Sequence, residues 1–252
     1  MSVQEIHPPP KVSVIMPVYN VARYVREAIE SVMSQRFQSF ELLVADDASE
    51  DRTGAIVDEY AGRPRVRIFH NLVNLGAGAT RNHLLREASG AYITPCDGDD
   101  VMLPGNLQRL STFLDEHPET GVVYADVLLL RIGHDEELLD PPIVSGADCA
   151  KTWDLLENVI NHPGSMSRKD ILLAAGGYDE DVYSVDDWSL WLKVAELTHI
   201  HYLPGEIYYL WRRIPASMTR SDEHRAENVR RIIAAASIRR GFAPPDWAHP
   251  KV

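Results

Sequence analysis

Residues 12–20 read Val-Ser-Val-Ile-Met-Pro-Val-Tyr-Asn, a short apolar run that ends in polar residues. Such a run, bounded by turn-forming residues, is typical of a buried strand. We interpret Asn20 as the N-cap of a helix that follows. The next residues place apolar side chains at the spacing of one helix face: Val25, Ala28, Ile29, Val32 and Met33. This stretch therefore predicts one β–α unit.

The same alternation continues along the chain. Further strands are predicted over 40–45, 66–69, 91–94 and 121–130, with helices between them around residues 53–60, 78–88 and 104–114. Strands that alternate with helices indicate an α/β fold with a mostly parallel central sheet and helices on both faces. The regular alternation ends after Arg131, and a smaller α+β lobe is predicted to follow.

The predicted organisation is one continuous domain with two lobes. Residues 1–10 indicate an extended leader, because its three consecutive prolines can neither start a helix nor donate to a sheet. The domain covers residues 11–219, divided into lobes 11–130 and 131–219, with a surface excursion over 133–148. Residues 220–252 predict a C-terminal helix and a tail.

Composition excludes several classes of protein. The 252 residues contain 25 Lys+Arg and 37 Asp+Glu, a formal charge of −12, which disfavours binding to nucleic acid or to an anionic membrane surface. Two cysteines without CxxC spacing exclude a disulfide framework and a cysteine-rich metal site. No run of 18 apolar residues and no signal peptide occurs, so we expect a cytoplasmic protein.

Acidic residues gather after the predicted strands, at the sheet edge where α/β folds bind ligands. They are Asp46, Asp47, Asp51, Asp97, Asp99 and Asp100. Helix capping could explain a single acidic loop, but three carboxylates within 97–100 exceed what a cap uses. Such a cluster suits Mg²⁺ or Mn²⁺ together with the phosphates of a ligand. The sequence has no P-loop and no complete GxGxxG motif.

Five segments in order carry a resemblance to a known family. They are VSVIMPVYN (12–20), VADDASED (44–51), NLGAGATRN (74–82), DGDD (97–100) and DDW (186–188). Together they resemble the family 2 inverting glycosyltransferases of the GT-A fold, from about Lys11 to Thr219. The resemblance implies transfer of a sugar from a nucleoside diphosphate to a hydroxyl acceptor with the help of Mn²⁺ or Mg²⁺. UDP is the nucleoside diphosphate that we expect first.

The resemblance also implies roles for individual residues. Asp47 would bind the base, Asp97 the ribose or sugar, and Asp99, together with Asp97, the metal. The remaining residues of the implied nucleotide and donor site are Pro17, Tyr19, Asn20, Asn74, Gly76 and Arg81. Asp187 would be the catalytic base. Residues assigned more loosely to the acceptor or diphosphate are Asp100, His162, Gly177, Asp186, Trp188, Arg212 and Arg213.

One departure from the family pattern leaves alternatives open. Relatives carry histidine where this chain has Ile214, so Arg212, Arg213 or water would have to replace that contact. A catalytically degenerate sugar-nucleotide or glycan-binding module therefore stays an alternative. A nucleotidyltransferase is a weaker one, because no Gly- and Lys-rich segment follows the first strand. Donor sugar, acceptor, peripheral membrane contact and a homodimer are left undecided by the sequence.

Overall fold

The computed structural model describes residues 9–132, 137–139, 158, 160–214 and 223–248. The strands in these ranges are β1 (Val12–Val18), β2 (Phe40–Asp46), β3 (Val66–His70), β4 (Tyr92–Pro95), β5 (Val101–Met102), β6 (Thr120–Ile132), β7 (Glu137–Leu139), β8 (Ser165–Arg168) and β9 (His199–Arg213). The helices are α1 (Val25–Met33), α2 (Thr53–Asp58), α3 (Ala77–Glu87), α4 (Asn106–Glu116), α5 (Lys169–Ala174), α6 (Asp186–Val194), α7 (Glu223–Arg239) and a short 3-10 helix (Asp246–Ala248). Residues 1–8 of the predicted leader and most of the predicted excursion lie outside the described residues.

A single sheet runs through both predicted lobes. In the described part its strand order is β3-β2-β1-β4-β8-β6-β9-β5, with β7 paired to β6. The first four strands are parallel, as predicted. Beyond β4 the sheet is mixed, because β8 lies antiparallel to both β4 and β6 while β6 and β9 are parallel. The two lobes therefore share one backbone hydrogen-bond network.

Helices cover both faces of this sheet, as predicted. Along β1, Val12, Val14 and Met16 face one apolar cluster, and Ile15 faces the other. The first cluster contains the apolar side chains of α1 and α4, and the second contains those of α3, α6 and α7. Alternation with a period of two residues is what lets a strand bury both faces. The face covered by α3 and α6 is the one that carries the DDW segment (186–188) of the second lobe.

The predicted N-cap at Asn20 is wrong. Helix α1 begins only at Val25, and Asn20 adopts a left-handed conformation with φ of 51°. Its Oδ1 accepts hydrogen bonds from the backbone N–H groups of Glu50, at 2.9 Å, and Asp51, at 3.3 Å. The side chain therefore satisfies the neighbouring loop instead of its own helix, and it ties the loops after β1 and β2 together.

The Gly-Gly segment before α6 is fixed by one buried side chain of α3. Asn82 donates its amide to the carbonyl of Tyr178 at 2.9 Å and accepts the N–H of Tyr178 at 2.8 Å. Gly176 and Gly177 both have positive φ, of 81° and 72°. A Cβ on Gly177 would lie 2.5 Å from Oδ1 of Asn82, whereas a Cβ on Gly176 would meet nothing within 4 Å.

This difference predicts unequal costs for two adjacent substitutions. Gly177→Ala should lower the free energy of unfolding by roughly 2–4 kcal/mol, because left-handed strain adds to a steric overlap. Gly176→Ala should cost only about 1–2 kcal/mol, since it has the strain alone. Urea denaturation of both variants measures the difference. Equal losses for the two variants would contradict the role given to Asn82.

Candidate active site

The acidic loops meet at the carboxyl edge of the sheet, as the topology requires. Strands β2 and β4 both lie parallel to β1, so the segments that leave their C-terminal ends emerge side by side. Val18 is paired with Asp46 in the register of the first two strands. The sheet edge therefore brings together loops that follow β1, β2 and β4, which are distant in sequence.

Asp47 organises the loop that leads into α3. Its carboxylate accepts the side-chain amide of Asn71 at 2.8 Å and the backbone N–H groups of Leu75 and Gly76, both at 2.9 Å. The side chain of Asp47 is buried. Gly76 has φ of 86°, which allows the sharp turn into the helix. Both carboxylate oxygens of Asp47 thus bind the protein's own loop, whereas the family resemblance assigns Asp47 to the base of the nucleotide.

The other residues implied for the nucleotide site lie along the same edge with different exposure. Tyr19 is 43% exposed at the end of β1, and Pro17 is half-buried within it. Asn74 is exposed and accepts the N–H of Gly76 at 3.1 Å. Tyr19 and Asn74 are accessible to a ligand, whereas Asn20 is taken up by the loop contacts described above.

Arg81 of α3, whose side chain is buried, is the centre of an ion triad. One terminal nitrogen, Nη2, contacts Oδ1 of Asp97 at 2.7 Å, and the other, Nη1, contacts Oδ2 of Asp186 at 2.6 Å. The guanidinium also lies over the ring of Tyr178, 5.7 Å from its centroid. The structure thus brings three of the predicted site residues together, and it joins the two lobes through one cation.

The carboxylates of the Asp97–Asp100 loop have three different environments. Asp100 is buried, and it accepts the hydroxyl of Tyr209 at 3.0 Å and the N–H of Arg212 at 2.7 Å. Burial and the charges of Asp99 and Asp97 raise the pKa of Asp100 well above its usual value. Burial would raise the pKa of Asp97, but the charge of Arg81 and its hydrogen bond to Asp97 contribute to a net pKa below the usual value. Asp100 therefore fixes the loop, and Asp97 stays ionised.

Asp99 is another carboxylate of this loop whose pKa is raised. Burial and the neighbouring Asp97 raise the pKa of Asp99 to about 7. In the described residues no cluster of three or more His, Cys, Asp or Glu side chains is arranged to hold a metal. Mg²⁺ and Mn²⁺ need no such cluster, since one or two carboxylates plus substrate phosphates suffice. Asp99 and Asp97 fit such a divalent ion, and its charge would favour the ionised form of Asp99.

Asp187 lies in the first turn of α6, where the helix dipole favours a negative charge. The sequence also predicts Asp186 as the N-cap of this helix, but Asp186 is itself helical and its carboxylate contacts Arg81 instead. Oδ1 of Asp187 accepts the N–H of Trp188 at 2.7 Å, and Oδ2 accepts the amide of Asn158 at 3.3 Å. Burial and the charge of Asp186 raise the pKa of Asp187 to about 6. A carboxylate with this pKa is suited to act as a general base near neutral pH.

Two residues assigned loosely to the acceptor are buried in the second core. Trp188 is 7% exposed and belongs to the apolar cluster that includes Trp191. His162 is 4% exposed, with Nε2 at 3.5 Å from the hydroxyl of Tyr178. Burial and the charge of Arg81 lower the pKa of His162 to about 3, so its imidazole is neutral and offers no charge to a diphosphate.

The contacts around Arg212 bear on the missing histidine. Arg212 is 4% exposed, donates to the carbonyl of Asp99 and contacts Oε2 of Glu27 at 2.8 Å. Arg212 therefore stabilises the loop Asp97–Asp100 through the carbonyl of Asp99, and its side chain is not available to a diphosphate. Arg213 is exposed beside it on β9, and Ile214 follows at the end of the described segment. Of the replacements considered from the sequence, Arg213 is the accessible one.

Sequence reasoning missed three supporting residues. Asn82 fixes the Gly-Gly segment, Tyr209 receives the N–H of Asp97 at 3.0 Å, and Glu27 pairs with Arg212. Asn82 ends the segment quoted for the family resemblance, which was a usable signal. Tyr209 and Glu27 lie in strands and helices without a motif, so the sequence offered no such signal for them.

Comparison with known proteins agrees with this geometry. Residues 13–127 match the model of glycosyl transferase family 2. EpsE of Bacillus subtilis (strain 168) is 41% identical over 122 residues, which cover 48% of this chain and 44% of EpsE. The chain thus spans less than half the length of that relative.

Two solved structures are similar in fold. TarS 1-349 of S. aureus in complex with UDP-GlcNAc superimposes with a TM-score of 0.71 at 24% identity, covering 95% of this chain and 69% of that one. The mannosyltransferase PcManGT of Pyrobaculum calidifontis, in complex with GDP-Man and Mn²⁺, gives 0.66 at 21% identity, covering 94% and 67%. The fold is that of the GT-A glycosyltransferases. Residues 13–127 thus resemble glycosyl transferase family 2.

The raised pKa of Asp187 predicts a pH-dependent effect on stability. A carboxyl whose pKa is higher folded than unfolded stabilises the fold below about pH 4 and loses that contribution as pH rises through about 6. Asp187→Asn should therefore increase the free energy of unfolding by about 1–2 kcal/mol at pH 8. The gain should shrink toward pH 4.5. Urea denaturation at both pH values tests this, and an equal gain or a loss at pH 8 would contradict the assignment.

Proposed function

We propose that the chain is an inverting glycosyltransferase that moves a sugar from a nucleoside diphosphate, UDP in the first instance, to a hydroxyl group of a glycan or glycolipid acceptor. The observation that carries the proposal is the arrangement of the acidic segments. The pairing of β1 with β2 and β4 brings the loop held by Asp47 beside the loop Asp97–Asp100, and Arg81 links Asp97 to Asp186, the residue before Asp187. The match of residues 13–127 to glycosyl transferase family 2 and the GT-A fold support the same function.

The proposed chemistry is a single in-line displacement. Asp187 accepts the proton of the acceptor hydroxyl, whose oxygen attacks the anomeric carbon while the bond from that carbon to the diphosphate oxygen breaks. Attack from the face opposite the leaving group inverts the anomeric carbon. A pKa of about 6 for Asp187 leaves it largely ionised at neutral pH and still basic enough to take a proton.

The remaining residues bind and orient the donor in this proposal. Tyr19 and the loop held by Asp47 would contact the base, and Asp97 would contact the ribose or sugar. Asp99 and Asp97 would hold Mn²⁺ or Mg²⁺, which when bound neutralises the charge of the diphosphate. Arg213, exposed on β9, would contact the diphosphate in place of the histidine that is common in relatives.

The solved neighbours support a nucleotide-sugar donor and leave its identity to experiment. One neighbour was solved with UDP-GlcNAc and another with GDP-Man and Mn²⁺. UDP stays our first choice. None of the helices within the described residues combines the length and the apolar character needed to cross a bilayer. A cytoplasmic site of action, at the inner membrane face for a lipid-linked acceptor, stays a prediction.

A non-catalytic binding module is the second candidate, and Ile214 is the observation that favours it. Such a module would bind a sugar nucleotide and release no product. Release of UDP or GDP from UDP-GlcNAc, UDP-glucose or GDP-mannose above the uncatalysed background separates the two candidates. No release in the presence of Mn²⁺, with nucleotide binding retained, would favour the module.

Asp187→Asn should reduce nucleoside diphosphate release at least about 10³-fold, because the base is lost and no neighbouring group replaces it. The affinity for UDP should stay within about threefold, since the substitution removes no contact made by the nucleotide. Steady-state kinetics and calorimetry measure the two quantities. Asp58→Asn, an exposed carboxylate beside His70, is the control. Turnover retained in Asp187→Asn would remove this residue from the mechanism.

Asp99→Ala should abolish the effect of Mn²⁺ on UDP binding. We expect Mn²⁺ to strengthen UDP binding by about tenfold or more in the unmodified chain, because it neutralises the diphosphate next to two carboxylates. In the variant, the affinity with and without Mn²⁺ should be equal within error. Calorimetric titration measures the ratio, with Asp58→Ala as control. A ratio unchanged from the parent chain would refute the metal assignment.

A further inference from the structure

We propose that Arg81 is a positioning residue that holds the donor-binding loop and the base-bearing helix in register, and not a ligand of the nucleotide. The inference rests on the proposed function, since it assigns a role within the same site. It departs from the family resemblance, which places this arginine near the base and phosphates. Three observations on the triad carry it.

The first observation is the geometry of the bridge. Each terminal nitrogen of the Arg81 guanidinium contacts a different carboxylate, Asp97 on one side and Asp186 on the other, at 2.7 and 2.6 Å. The two carboxylates are 89 residues apart in sequence and belong to different lobes. A planar fork with two outward N–H groups can span both at once, whereas an ammonium is a single point charge.

The second observation is that little of Arg81 remains for a ligand. Its side chain is 8% exposed, and that of Asp186 is 9% exposed. The Nε atom is buried and has no hydrogen-bond partner among the described residues. One face of the guanidinium lies over the ring of Tyr178. A diphosphate would have to displace Asp97 or Asp186 to reach the terminal nitrogens of Arg81. Asp97 is 30% exposed, but Asp186 would then be buried without its partner.

The third observation is the position of the base next to the triad. Asp187 follows Asp186 directly in the first turn of α6, so the contact of Arg81 with Asp186 fixes where that turn begins. A Cβ on Gly78, also in α3, would lie 3.6 Å from the Cβ of Asp186, so the two helices approach closely here. A shift of the turn by about 1 Å would move Asp187 relative to the donor and could reduce the rate about 100-fold.

The charges around Asp187 give the triad an electrostatic consequence. The charged or titratable groups that act on Asp187 in the described structure are Asp186, Arg81 and Tyr178. Asp186 raises the pKa of Asp187, and Arg81 lowers it. Loss of Arg81 should therefore move the acidic limb of the pH–rate profile to higher pH, and loss of the Asp186 charge should move it to lower pH.

The test compares the variants Arg81→Lys, Arg81→Met and Asp186→Asn with the parent chain. The assay is the release of nucleoside diphosphate, measured with whichever donor the parent chain turns over fastest among UDP-GlcNAc, UDP-glucose and GDP-mannose. We expect both Arg81 variants to lose about 100-fold in kcat, while KM and the affinity for UDP, which also depend on Asp97, change by less than about tenfold. Arg81→Lys keeps the positive charge but loses the planar guanidinium, so it tests whether two separate N–H groups are needed. This variant remains informative if Arg81→Met does not fold. Arg109→Gln, which breaks a surface ion pair with Glu206, is the matched control.

Two outcomes would overturn the proposal. An affinity for UDP weakened tenfold or more with kcat unchanged would make Arg81 a nucleotide ligand. Full activity of Arg81→Lys would show that a point charge suffices and that no bridge is needed.

A readout without substrate separates this proposal from the proposed function. The pKa of Asp187 can be followed by carboxyl ¹³C NMR in the parent chain, Arg81→Lys, Arg81→Met and Asp186→Asn. We expect an upward shift in Arg81→Met and a downward shift in Asp186→Asn. If the parent chain releases no nucleotide from any donor, the proposed function fails, and the NMR titration still decides the proposal. Unchanged values in Arg81→Met and Asp186→Asn would contradict it.

Discussion

The contact of one buried arginine with two carboxylates holds this site together. Arg81 lies on α3, between the acidic loop after β4 and the first turn of α6, and it neutralises part of a strongly acidic edge. The chain carries a formal charge of −12, so mutual repulsion at this edge would otherwise oppose folding. Among the described residues, the guanidinium of Arg81 contacts both side chains, Asp97 and Asp186. In the proposed reaction, donor binding and base positioning would therefore share this residue.

Two carboxylates with a raised pKa, those of Asp99 and Asp187, are the ones to which the proposed function assigns chemical roles. Asp99 and Asp187 both have a raised pKa, chiefly because they are buried near other carboxylates. Other carboxylates at the same edge hold the structure: Asp47 accepts three hydrogen bonds from one loop, and Asp100, whose pKa is also raised, accepts two from β9. Asp99 and Asp187 lie where the proposed reaction needs a cation and a base.

Much of the fold could be predicted from the sequence, because it depends on local periodicity. The run over 12–20 predicted β1, and the helical spacing after it predicted α1, although the start of that helix was misplaced at Asn20. Strand β5 and the antiparallel half of the sheet were not predicted, since they depend on pairing with distant strands. The list of site residues followed from motifs. Their partners did not, because nothing in the sequence indicates that Arg81 faces Asp97 and Asp186, or that Asn82 holds Tyr178.

The measurement that tests the central claim most directly is a crystal structure of the chain with UDP and Mn²⁺. The account predicts UDP at the carboxyl edge, with its base beside Tyr19 and the loop held by Asp47, and its diphosphate on the side of Asp99. Arg81 should keep both of its contacts, to Asp97 and to Asp186, within about 3 Å. A structure in which Arg81 leaves Asp186 and binds the diphosphate, or in which UDP binds elsewhere, would contradict the account.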